Sequence, residues 1–176
     1  MTSEPDLKFD FEDYGMAFFA RDLHQLRVVI SEQSDSVFEA AGTGIPSHCA
    51  SLILILDKYD EAPVMKLAAA LGYSHQLLNQ RITILEKSGC VRKHQDPNDR
   101  RRTLVSLSKH GQSEAAKVRN ALPVIDAGIK DVVSEYNNDV QQIVKDVRLA
   151  LLASSLFERG RASQKSTRRR KRQAGL

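Results

Sequence analysis

The feature that most constrains the fold is a change of hydrophobic period at Gly89. Before it, Ser74 is a favoured helix N-cap, and apolar residues recur at helical spacing from Leu78 to Leu85. After it, residues 90–95 and 100–107 alternate as strands do, on either side of the turn sequence DPND. The pattern predicts a capped helix followed by a β-hairpin with a basic arm.

Helical spacing of apolar residues also predicts the elements around this unit. Three helices precede it, over 16–40, 46–59 and 63–71. Two follow it: a helix that Pro123 ends or kinks, and a last long helix with an apolar seam from Ile129 to Leu151 that is suited to packing, including packing between subunits. The sequence therefore predicts a mainly α fold with a small β-hairpin.

Charge is concentrated in two places. The chain has a net charge of +4, yet the tail from Arg159 to Leu176 carries eight basic residues and no acid, which leaves the rest of the chain at −4. Within that rest, the segment from Asn79 to Lys109 has a balance of +5. The tail lacks apolar periodicity, and we expect it to be disordered in the free protein.

Several classes of protein are disfavoured. No apolar run approaches the length of a membrane span, and the acidic N-terminus is unlike a signal peptide, so we expect a cytoplasmic protein without a membrane partner. Cys49 and Cys90 lack metal-ligand or disulfide spacing, and the histidines are scattered, so we expect two buried thiols and no metal. No phosphate loop, nucleophile elbow or paired-carboxylate pattern indicates an enzyme or a cofactor.

Four short motifs in order carry a family resemblance: LGYS at 71–74, LEKSGCVR at 85–92, DPNDRR at 96–101 and SLSKHG at 106–111. Over about residues 45–111 the chain closely resembles the MarR-type family of transcriptional regulators. The resemblance implies a winged helix-turn-helix with N- and C-terminal dimerisation helices. It divides the chain into an acidic segment (1–14), an N-terminal dimerisation helix (15–44), the DNA-binding domain (45–108), C-terminal dimerisation helices (109–158) and the disordered basic tail (159–176).

The same resemblance implies partners and sites. It implies a homodimer, mainly a repressor, that binds double-stranded DNA at a pseudo-palindromic operator. A small aromatic effector would bind between residues 18–27 and 49–56. In the wing, Arg101 would enter the minor groove beside Arg100, and Asp99 would orient it. The recognition-helix contacts would be Ser74, His75, Gln76, Asn79, Gln80 and Arg81.

The residues themselves support this interpretation. Polar side chains on the exposed face of the predicted fourth helix can donate to and accept from base edges in a major groove. The tail cations can neutralise phosphates without choosing a sequence; these are Arg168, Arg169, Arg170, Lys171 and Arg172. Two alternatives stay open: a winged module that binds an acidic protein, and a regulator that senses oxidants through a cysteine.

Overall fold

The computed structural model describes residues 11–136 and 139–173, including their side chains except those of residues 12 and 166–173. Within these ranges the fold is mainly helical with one small antiparallel sheet, which confirms the predicted fold class. No helix in the described ranges is both long and apolar enough to cross a membrane.

The described residues form seven α-helices and three β-strands, with short 3-10 turns at Glu12–Phe18 and Ser47–Cys49. In chain order they are α1 (Phe19–Ala40), α2 (Ala50–Tyr59), β1 (Glu61–Pro63), α3 (Val64–Leu71), α4 (His75–Lys87), β2 (Val91–Gln95), β3 (Thr103–Leu107), α5 (Lys109–Ser134), α6 (Val140–Ala153) and α7 (Leu156–Gln173).

The sheet contains the predicted hairpin and one strand that sequence analysis missed. β2 and β3 pair antiparallel from Val91 opposite Leu107 to Gln95 opposite Thr103. On the other side of β3, the three residues of β1 pair with Leu104 to Ser106, so the strand order is β1-β3-β2. A three-residue strand is too short for its alternation to be detected. Its existence depends on the partner strand.

One hydrophobic core lies under the hairpin. It collects fully buried side chains from α2, α3, α4 and β3, together with Phe38 of α1 and Val118 of α5. Leu78, Ile82 and Leu85 are 0% exposed, so the predicted seam of α4 is the seam that packs. This burial fixes which face of α4 remains in solvent.

The chain forms two compact units, Met1–Asp126 and Ala127–Leu176. The first unit extends beyond residue 108, where the sequence placed the end of the DNA-binding domain. The reason is that the first half of α5 buries Ala115, Val118 and Ala121 in the core of that unit.

The helices after the hairpin differ from the prediction at two points. α5 continues through Pro123 to Ser134 without ending there. Ala121 before the proline is buried and Ile125 after it packs on the core, which stabilises both neighbouring turns. The predicted long seam is interrupted between Ser134 and Val140, because the carboxylate of Asp139 accepts a hydrogen bond from the Gln142 N–H and caps a new helix.

The basic tail also differs from the prediction, because its backbone is helical as part of α7. The helix begins with a capping box: the Ser155 N–H donates to Glu158, and the Glu158 N–H donates to the Ser155 hydroxyl. Arginine, lysine, glutamine and alanine are good helix formers, so the segment needs no buried face to adopt this backbone. The side chains of Arg168, Arg169, Arg170, Lys171 and Arg172 lie outside the described residues.

Candidate nucleic-acid interface

A tight turn between α3 and α4 sets the direction of α4. Gly72 ends α3 in the left-handed region with φ of 65°, where glycine is favoured. Its neighbour Tyr73 donates its N–H to the Ala68 carbonyl at 3.0 Å. The Ser74 hydroxyl then accepts the Leu77 N–H at 3.2 Å and caps α4, as the sequence predicted. The two helices are thereby joined by only three residues.

The solvent face of α4 carries most of the predicted base contacts. Ser74, His75, Gln76, Asn79 and Gln80 all have exposed side chains. They occupy the face opposite the buried seam and begin at the helix N-terminus. Amide side chains at such positions can form paired hydrogen bonds with adenine.

The structure places Arg81 differently from the prediction. Its side chain is only partly exposed, and its Nη1 atom is buried. The guanidinium lies 6.0 Å from the centre of the Tyr73 ring, at the turn before α4. Arg81 therefore does not belong to the exposed polar face, because it follows Asn79 and Gln80 around the helix toward the core side.

The wing turn is held by two aspartates. The Asp99 carboxylate accepts from the backbone N–H of Arg101 at 3.0 Å and from its Nε at 3.3 Å. Asp96 is buried; it accepts the Asn98 N–H at 2.9 Å and forms an ion pair with Arg102 at 3.5 Å. The Arg101 side chain remains 92% exposed. Asp99 thus anchors the base of a side chain whose charge stays in solvent.

A cleft of about 670 Å³ joins α4 to the wing. Asn79 contributes from α4, and the start of α3 forms the opposite wall. Four cations line it: Lys66, Lys93, Arg101 and Arg102. Lys93 also pairs with Glu86 of α4 at 2.7 Å, which connects β2 to that helix. A cleft with this lining is suited to a phosphate backbone.

Lys66 and Lys93 were not among the predicted site residues. Lys93 lies in the basic segment, but charge alone did not distinguish it from its neighbours. Lys66 lies in the first turn of α3, which the turn at Gly72 brings back beside α4. The position of Lys66 in the first turn of α3, the helix before the Gly72 turn, was the one sequence feature that could have indicated its place in the cleft.

Arg100 is exposed at the wing turn, beside Arg101. The structure thus brings Asp99, Arg100 and Arg101 together, as expected for one turn. The side chains of the five tail cations predicted to contact phosphates lie outside the described residues.

Both cysteines are fully buried, as predicted. Burial, with smaller contributions from the nearby carboxylate of Asp35 and the thiol of Cys90, raises the pKa of Cys49 to about 12. Burial also raises the pKa of Cys90, against the hydrogen bond from the Ser88 hydroxyl at 3.2 Å. A thiol with a raised pKa is a poor nucleophile, which weighs against cysteine-based sensing.

The predicted effector segments are only partly available to a ligand. Cys49, Leu52, Ile53 and Leu56 face the core and are fully buried, whereas Ser51 is exposed. From 20 to 27 the side chains are exposed on α1. In the described part of the chain no group of histidine, cysteine, aspartate or glutamate side chains could hold a metal ion.

Comparison with known proteins finds one matching family model and several solved structures of similar fold. Residues 43–102 match the model of the MarR family. A mutant of MarR from E. coli complexed with operator DNA superposes with a TM-score of 0.63 at 14% identity, covering 82% of this chain and 99% of that one. The PcaV transcriptional regulator from Streptomyces coelicolor, in complex with its natural ligand, gives 0.63 at 15% identity, with 85% and 99% covered.

A third similar structure is reduced AbfR bound to DNA, with a TM-score of 0.61 at 20% identity, covering 80% of this chain and 92% of that one. At such identities these likenesses show the fold. A search of curated proteins found no match.

Proposed function

We propose that the chain is a DNA-binding transcriptional regulator built around a MarR-type winged helix-turn-helix at residues 43–102, and that it represses from a pseudo-palindromic operator as a homodimer. One observation carries the proposal. The exposed polar face of α4 and the cation-lined cleft beside the wing form one continuous surface through Asn79. We call α4 the recognition helix from here on.

The two parts of this surface have different tasks in the proposal. Gln76, Asn79 and Gln80 contact base edges in the major groove, where amides distinguish base pairs. Arg101 enters a narrow, electronegative minor groove, where it responds to A·T-rich shape. Lys66 and Lys93 hold the intervening backbone through its phosphates. Two proteins of similar fold, MarR and AbfR, were solved in complex with DNA, which supports DNA as the partner of this surface.

Dimerisation and effector binding belong to the same proposal. Residues 15–44 and 109–158 provide the subunit contacts, since α6 buries no side chain within its own chain. A small aromatic effector shifts DNA affinity by binding two subunit arrangements unequally. The similar regulator PcaV, solved with its natural ligand, supports this part of the proposal.

Selection of bound fragments from a genomic library tests the function, and two variants test the division of tasks. Against single-base variants of the selected operator, Asn79→Ala should cost about 1 to 3 kcal/mol at particular base pairs and relax selection there. Arg101→Ala should weaken all sites, most of all those with A·T-rich flanks.

Lys58→Ala is the matched control, because it removes one exposed cation outside the candidate surface. It should leave the preference unchanged and affinity nearly so. Identical penalty profiles for Asn79→Ala and Arg101→Ala would contradict the division of tasks. Failure to select any fragment would contradict the proposed function and favour the alternative of a protein-binding winged module.

A further inference from the structure

Glu86 is an acidic residue on the helix that contacts DNA in the proposed function. It is the only acid of the recognition helix, all of whose residues the structure describes, and it lies one residue before the helix ends at Lys87. The C-terminal end of a helix carries a partial negative charge, which disfavours a carboxylate there. A phosphate backbone beside the helix would repel the same carboxylate. Neither the helix nor DNA therefore accounts for an acid at this position.

The partner of Glu86 is a cation of the wing. Its carboxylate accepts from the Lys93 ammonium on β2 at 2.7 Å, and each of the two side chains is 34% exposed. The two other ion pairs of the cleft join Arg101 and Arg102 to aspartates of the wing turn, at 3.3 and 3.5 Å. Of these three pairs, only the one between Lys93 and Glu86 connects the wing to another element.

The ion pairs leave little free positive charge in the cleft. Three of its four cations are bound to a carboxylate of the protein. The fourth, Lys66, is exposed and forms no ion pair with any residue that the structure describes. A phosphate can therefore approach Lys66 freely, whereas it meets the Lys93 ammonium already bound to an anion.

We propose that Glu86 competes with DNA phosphate for Lys93 and thereby sets the affinity of the cleft for every duplex. A carboxylate and a phosphate accept hydrogen bonds from the same ammonium, and two anions on one lysine repel each other. The inference rests on the proposed function, and it adds a residue that weakens DNA binding to those that produce it. Glu86 is a positioning residue, because it acts through Lys93.

The test measures DNA binding of the full-length protein by fluorescence anisotropy, with the selected operator and with a mixed-sequence duplex of the same length. Glu86→Gln keeps the size of the side chain and removes its charge. Both duplexes should bind about two- to fivefold more tightly, which is the range for an exposed ion pair. The dependence of affinity on salt should steepen by up to about 0.9 in logarithmic slope, the value for one further phosphate contact.

Substitutions of Lys93 show whether the effect passes through the ion pair. In a Lys93→Gln background, Glu86→Gln should change neither the affinity nor its salt dependence. Lys66→Gln should cost more affinity than Lys93→Gln, because the charge of Lys66 is not shared with an acid. Glu86→Asp keeps the carboxylate and should return the affinity toward that of the parent chain.

Asp22→Asn is the matched control, because Asp22 pairs with Arg21 on α1, outside the candidate surface, and its loss changes the net charge equally. It should bind both duplexes as the parent chain does. An acid with a purely structural role would lower both the thermal unfolding midpoint and the DNA affinity when replaced. Glu86→Gln should instead raise the affinity.

Three results would overturn the competition and leave the regulator standing: a Glu86→Gln affinity no higher than that of Asp22→Asn, a gain that survives without Lys93, or a gain confined to one duplex. The last result counts because phosphates are the same in every sequence. A parent chain that binds no duplex at any salt concentration would refute the regulator, and the competition with it.

Discussion

Gly111 lies in α5 against the backbone of Cys90, the residue before β2. A Cβ atom at this position would lie 2.0 Å from the carbonyl oxygen of Cys90 and 2.9 Å from its carbon. Backbone atoms cannot move aside cheaply, and that same carbonyl accepts the Ser108 N–H at 2.9 Å. A glycine is therefore required for this contact by space, independently of its backbone angles.

Gly111→Ala should lower the free energy of unfolding by about 1 to 3 kcal/mol, as overpacking of a tight contact does. Gly128→Ala is the control on the same helix, because nothing lies within 4 Å of its added Cβ. There the greater helix propensity of alanine should raise stability by up to about 1 kcal/mol. Urea unfolding followed by circular dichroism measures both, and equal effects would show that the Cys90 contact is unimportant.

Glu114 is a buried carboxylate that ties α5 to the loop after α1. It accepts the Gly44 N–H and the Lys117 ammonium, each at 2.6 Å, and Lys117 also donates to the Gly42 carbonyl. Burial by itself raises the pKa of Glu114, but the hydrogen bonds from Lys117 and Gly44 outweigh it and hold the pKa below its usual value. The ionised form is therefore the one that the fold stabilises.

Glu114→Gln should cost about 1 to 3 kcal/mol of unfolding free energy at neutral pH, because a charged acceptor is removed. A lowered folded-state pKa contributes stability above the ordinary glutamate pKa of about 4.3, and this contribution disappears as the pH falls through the lowered value. The difference in unfolding free energy between the parent chain and Glu114→Gln should therefore disappear at acid pH. Urea unfolding midpoints from neutral to acid pH measure this difference. The control Glu39→Gln changes an exposed glutamate and should differ little from the parent chain at any pH.

At the scale of elements, local signals explain where helices begin, and packing explains where they continue. Ser74 and Ser155 both act as N-caps and could be identified from sequence. Pro123 looked like a helix end by its own chemistry. The helix passes through it because neighbouring turns pack on the core, which is information that a single residue does not carry.

The basic end of α7 yields an element-scale prediction. Deleting residues 160–176 should weaken binding to all duplexes by similar factors, since lysine and arginine side chains bind phosphates that are the same in every sequence. The dependence of affinity on salt should flatten by about 0.9 in logarithmic slope for each phosphate that the tail no longer neutralises. Affinity titrations at several salt concentrations measure this.

A full-length variant with glutamine at residues 168–172 is the matched control, because it removes charge and keeps chain length. It should reproduce most of the flattening. A changed preference among operators after either change would contradict the prediction and indicate that the tail reads a groove.

At the scale of the whole molecule, each of the two units leaves apolar surface uncovered. On α1 of the first unit, Leu26 is 52% exposed and Val29 47%. On α6 of the second unit, Ile143, Val144 and Val147 are exposed along one stripe, and the helix has no buried residue. Contiguous exposed apolar stripes of this kind are typical of subunit contacts.

Light scattering at micromolar concentration should therefore report about twice 19.7 kDa. Val147→Asp should shift the protein toward the monomer, because it places a charge in the apolar stripe of α6. Gln141→Asp, on the same helix but outside the stripe, should remain dimeric. A monomeric parent chain would refute the proposed homodimer.

The sequence by itself determined the helix-turn-helix and the wing, because each depends on short-range chemistry. The Ser74 cap, the left-handed Gly72 and the alternation around DPND are all local, and each agrees with the buried seam of α4. The exposed polar face of α4 followed from the same periodicity. Because the local signals and the hydrophobic periodicity agree, the sequence predicted the helix-turn-helix and the wing correctly.

Only the tertiary structure decided which residues share a site across sequence distance. Lys66 joins Lys93 and Arg101 in one cleft, and β1 pairs with β3 more than forty residues later, because the core draws these segments together. Helical periodicity places Arg81 beside the buried seam of α4, three residues after Leu78, but it does not show what surrounds the guanidinium. Its unpaired buried donor beside Tyr73 exists only once the helices are packed, since burial is a property of the fold.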